Sequence, residues 1–66
     1  MNIKDIYLTR RERETLVMIL LGLSTKEMCA RLLLSNKTIE DFRGQLLKKF
    51  DVSTSVQLVN KVWALS

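Results

Sequence analysis

With 66 residues the chain has room for one small domain and a limited core. It is 47% hydrophobic, with no proline and 2 glycines, which argues for packed helices and against disorder. Lys and Arg number 11 against 7 Asp and Glu, a net charge of +4 and a pI near 9.7, which favours polyanions; one cysteine and no histidine leave neither an internal disulfide nor a zinc site.

In chain order, Met1 to Leu8 mixes apolar and charged residues without periodicity and reads as an extended lead-in. Thr9 followed by Glu12 is a capping box, in which each side chain satisfies the other residue's free backbone N–H, so a helix opens at about residue 10 and runs to 21. Gly22 suits the left-handed position that ends it. Ser24 with Glu27 is a second box, opening a helix over about 25–33 whose apolar stripe is Met28, Cys29 and Leu32. Cys29 on that stripe reads as a small buried hydrophobe, with a reactive thiol as the rival reading.

Ser35 can cap a third helix over about 36–50 through the amide of Lys37 or Thr38, and Ile39, Phe42, Leu46 and Phe50 form its apolar face. Asp51 then has to take the left-handed turn that glycine takes most easily. Thr54 with Gln57 opens a last helix over about 55–65. The predicted class is therefore all-α, four helices in one unit spanning 1–66. Its second and third helices are joined too tightly to do anything but turn, the layout of a helix-turn-helix.

The apolar residues exceed what one core needs. The first helix reads Leu16 to Leu21 without a polar break, and Val17 and Leu21 lie on one line beyond the core face. Val56, Val59 and Trp63 make a second apolar patch on the last helix; either both are candidate partner interfaces or one covers the other within the monomer.

The ordered motifs resemble the LuxR/GerE-type helix-turn-helix domain of bacterial transcription regulators. The likeness runs from about residue 8 to 62. It rests on Leu8-Thr9 and Arg11-Glu12-Arg13-Glu14, then the run from Gly22 to Glu27. It continues through Arg31-Leu32, Leu34-Ser35 and Lys37-Thr38-Ile39, and closes with Leu46-Leu47-Lys48-Lys49 and Val52. The resemblance implies a four-helix fold, duplex DNA bound by the third helix, and dimerisation through the fourth. It also marks departures. Arg10 replaces a usual proline, Glu40 a frequent lysine and Phe42 a frequent histidine; Asp41 and Gly44 occupy groove-facing positions; Val17 and Leu21 replace commonly polar residues.

On a third helix beginning near Asn36, the residues Lys37, Glu40, Asp41, Gly44 and Lys48 share one outward stripe. Phosphate contacts supply most DNA affinity and base edges supply specificity. The phosphate candidates are Thr25, Lys26, Lys37, Thr38, Arg43, Lys48 and Lys49, the last two equally readable as a solvated face. Glu40 either accepts from a cytosine amino group or serves only its own helix, with Lys37 or Arg43 as neutralising partner; Asp41 would pair with Lys37 or Lys48. Gly44 marks either a close approach or mere tolerance of a helix weakener.

The expectation is a small regulator in a reducing cytoplasm, with no cofactor and no membrane segment, bound to duplex DNA as a homodimer or mixed dimer. If Met1 is the natural start, it has no input domain; if the chain is a fragment, that domain precedes residue 1. The rival is a protein-binding module in which the same fold pairs with or inhibits another regulator. Without histidine, a glycine-rich phosphate loop or a nucleophile beside a base, catalysis is the least supported reading.

Overall fold

The computed structural model describes residues 2–3 and 5–65, with Asn2 and Ile3 as backbone only. Four helices follow a two-residue hairpin: β1 (Asn2–Ile3), β2 (Ile6–Tyr7), α1 (Arg10–Leu20), α2 (Thr25–Leu32), α3 (Asn36–Lys49) and α4 (Ser55–Leu65). The lead-in is thus partly paired. β1 and β2 run antiparallel, Asn2 opposite Tyr7 and Ile3 opposite Ile6, and Asp5 makes the turn at φ 72°. Met1 and Lys4 of that predicted stretch lie outside the described residues.

Each predicted cap closes. The Glu12 amide donates to Thr9 Oγ1 at 3.2 Å while the Thr9 amide donates to Glu12 Oε1 at 2.9 Å. Ser24 and Glu27 exchange the same pair of bonds at 3.2 and 2.8 Å. Ser35 takes the amide of Thr38, the farther of its two candidates. At α4 the box is stretched: Thr54 Oγ1 accepts from the Gln57 amide, but Gln57 Oε1 takes the amide of Ser53. Capping of this kind is worth about 1 kcal/mol per helix end.

The C-termini of α1, α2 and α3 share one device. Leu23 donates to Met18 O, Leu34 to Cys29 O and Val52 to Leu47 O, each bond closing over a residue in the left-handed region: Gly22 at φ 84°, Leu33 at 57° and Asp51 at 57°. Gly22 and Asp51 behave as expected. Leu33 does not, since α2 stops at Leu32 and a β-carbon is forced into a conformation costing about 1 kcal/mol.

α3 packs against α1, α2 and α4. Leu8, Leu16, Leu46, Phe50, Leu58 and Val62 form the core between hairpin, α1, α3 and α4. Met28 and Ile39, both fully buried, complete the seam between α2 and α3. With three neighbours and one buried face, α3 is held firmly and left open on the other side.

Candidate nucleic-acid interface

Burial of Ile39 and Leu46 fixes the rotation of α3, and the helical period turns Lys37, Glu40, Asp41, Gly44 and Lys48 to solvent, as the spacing predicts. Asn36 and Gln45 are exposed with them. Gln45 escaped the sequence reading although it lies four residues after Asp41 on the same line; its amide can address a base edge as well as any side chain there. A β-carbon built on Gly44 meets nothing within 4 Å, so no neighbour in the fold requires glycine.

The basic residues divide sharply. Lys26, Lys37 and Lys48 are exposed and form no ion pair among the described residues. Lys49 is a correction to the phosphate reading: its Nζ donates to Glu12 Oε1 at 2.6 Å and to Tyr7 O at 3.0 Å, and lies 5.9 Å from the Tyr7 ring centre. Burial pushes the Glu12 carboxyl upward in pKa, but the hydrogen bonds from Lys49 and Thr9 outweigh it and hold the group below its ordinary 4.5.

Arg43 is also turned inward. Nη2 donates to Thr25 Oγ1 at 2.5 Å and lies 3.6 Å from Glu40 Oε2, while Nη1 reaches Ser55 Oγ at 3.5 Å. Its Nε is shielded from solvent with no acceptor among the described residues. Thr25 donates its own proton to Glu40 Oε2 at 3.0 Å. Of the two cations proposed to neutralise Glu40, Arg43 does so and Lys37 does not; Asp41 has no ion pair among the described residues. Thr38 is half-buried, its hydroxyl 2.9 Å from that of Ser35.

An exposed polar stripe on the second helix of a helix-turn-helix is the setting in which the comparisons with known proteins become informative. Residues 7–62 match the family model described as bacterial regulatory proteins, luxR family. The chain belongs to the luxR family. That family is a DNA-binding regulator domain and not a class of enzyme, and its fold is the all-α helix-turn-helix observed here. The chain is 39% identical over 56 residues to the transcriptional regulatory protein UhpA of Salmonella typhimurium, covering 85% of this chain and 29% of that protein. It is 42% identical over 55 residues to the uncharacterized response regulatory protein YgeK of Escherichia coli K12, covering 83% and 37%. UhpA of Escherichia coli K12 is 38% identical over 56 residues, covering 85% and 29%. The chain thus spans about a third of the length of these curated relatives. No solved structure matches it significantly.

The two apolar patches of this luxR-family domain border neighbouring grooves that share Leu23. Val17 and Leu21 are exposed and, with Met18 and Leu23, line a groove of about 330 Å³ rimmed by Arg13, Glu14 and Arg31. Val56 and Trp63 are exposed on α4, whereas Val59 is half-buried in a second groove of about 310 Å³ that reaches Arg43. Neither patch covers the other. Cys29 is half-buried, its thiol donating to Asn36 Oδ1 at 3.0 Å across the α2–α3 turn, a local bond that the buried-hydrophobe reading did not include. Among the described residues no cluster of His, Cys, Asp or Glu could hold a metal ion, and no helix is long and apolar enough to cross a membrane.

Proposed function

We propose that this chain is a sequence-specific DNA-binding domain of a transcription regulator, acting in the cytoplasm, with α3 in the major groove and α4 pairing two copies. The observation that carries this is the outward stripe of α3, fixed in rotation by three packed helices and presented beside the N-terminus of α2. Lys26, Lys37 and Lys48 are the phosphate contacts, joined by the free amides at the start of α2; Thr38 sits at the groove edge. Glu40, Asp41, Gly44 and Gln45 face the bases. Thr25 and Arg43 belong to the interface through Glu40. UhpA is a transcriptional regulatory protein by name, and the same role is proposed here.

Duplex binding measured over a range of salt concentrations tests this. Each neutralised phosphate contributes a slope of about −0.9 in log K against log salt. Lys37→Ala is expected to weaken binding to all duplexes and flatten the slope by about that amount. Unchanged binding by Lys37→Ala would overturn the placement of α3.

One observation favours a second reading, a protein-binding module of the same fold. Val17 and Leu21 stand exposed beside Arg13, Glu14 and Arg31, and Asp41, with no ion pair among the described residues, repels phosphates. Failure to shift any duplex at low salt, together with stable pairing to another regulator, would select it.

A further inference from the structure

We propose that Arg43 is a positioning residue that, with Thr25, holds the Glu40 carboxylate as a preset acceptor for the amino group of a cytosine in the major groove. This rests on the reading that α3 enters that groove. Glu40 Oε2 is occupied, taking the Thr25 hydroxyl at 3.0 Å with Arg43 Nη2 at 3.6 Å. Glu40 Oε1 has no partner among the described residues, and the side chain is 53% exposed. One oxygen is therefore tethered and the other presented. A carboxylate has only acceptors, and the base-edge donor it matches in the major groove is cytosine N4.

The guanidinium is itself fixed from three elements: Thr25 at the start of α2, Glu40 on its own helix and Ser55 at the start of α4. Its Nε is shielded from solvent and both Nη atoms are engaged, so turning to a phosphate would mean giving up these partners. What it supplies is orientation, and a positive charge that makes an acid tolerable near DNA. Asp41 lacks such a partner among the described residues, which singles out Glu40 as the tethered acid.

Selection of duplexes from a randomised pool, followed by salt-dependent affinities, tests this with the 66-residue chain and its variants. The wild type should enrich cytosine at one position of each half-site, and Glu40→Gln should lose that preference. Arg43→Met should keep the salt slope and lose about tenfold in preference at the same position. The Glu40→Gln, Arg43→Met double variant should do no worse there than Glu40→Gln alone, because Arg43 acts through Glu40. Should Arg43→Met unfold, Thr25→Val carries the test, with the same expected loss. A salt slope flattened by about 0.9 with the cytosine preference intact would make Arg43 a phosphate contact and overturn the inference. A folded Arg43→Met with unchanged slope and preference would overturn it too. If the wild type enriches no duplex, the groove reading itself falls and takes this one with it.

Discussion

Lys49 and Arg43 both sit on α3, yet both turn their charge into the protein. For Lys49 the reason is Glu12, a carboxylate that caps α1 and is buried in this fold, where a cation offsets the loss of water. Glu12 titrates lower in the fold than in the unfolded chain, where the proton binds more readily. Its stabilisation is therefore full above about pH 4.5 and is lost as pH falls through the lower folded value. The exposed Glu27, held down by its bonds with Ser24, acts in the same direction. Thermal melts between neutral and acid pH should show the melting temperature dropping below about pH 4.5, with a shallower drop in Glu12→Gln. An identical acid limb in that variant would remove Glu12 from the explanation. Gly44 gives the opposite case. Its surroundings are open, so Gly44→Ala is expected to stabilise by about 1 kcal/mol, raising the melting temperature by about 4–8 °C in a domain this small. A lower melting temperature would show that α3 needs glycine there for its own sake.

The elements are governed mostly by their ends. Ser24, Ser35 and Thr54 with their partners were legible as starts, because a capping bond joins residues three apart and shows in the sequence. Stops were legible where Gly22 and Asp51 carry a local preference for the left-handed region. Leu33 carries none. Its conformation follows from the Leu34 amide turning back to Cys29 O and Ser35 having to cap α3, so the helix ends one residue earlier than its apolar pattern suggests. With Leu33 88% exposed and making no core contact, Leu33→Gly should relieve the strain and stabilise by about 0.5–1 kcal/mol. Urea unfolding would register this as a higher midpoint at unchanged slope. A lower midpoint would mean the leucine side chain holds the turn. The N-terminal hairpin was illegible for a simpler reason: strands of two residues are too short to show an alternating pattern.

At the level of the molecule, 66 residues leave Val56 and Trp63 on α4 uncovered, on the helix proposed to pair two copies. The double variant Val56→Asp, Trp63→Ser should sediment as a monomer under conditions where the wild type sediments as a dimer, with a melting curve close to the wild type. A wild type that stays monomeric even on a duplex with two half-sites would refute pairing through α4.

What the residues reveal unaided is whatever depends on neighbours within about one helical turn: four helices, their caps, the rotation of α3 and the exposed line it bears. The Glu40–Arg43 pair, three residues apart, was within such reading, but the distant partners of Lys49 and Arg43 were not. Lys49 meets Glu12 across 37 positions and Arg43 meets Thr25 across 18, and no periodicity records a contact of that range. An arginine and a lysine on one amphipathic helix look alike until packing supplies a buried carboxylate for one and a hydroxyl-and-acid pocket for the other. Capping, helical period and ion pairs within one turn act over a few residues, whereas pairing between elements acts through space and had to await the fold.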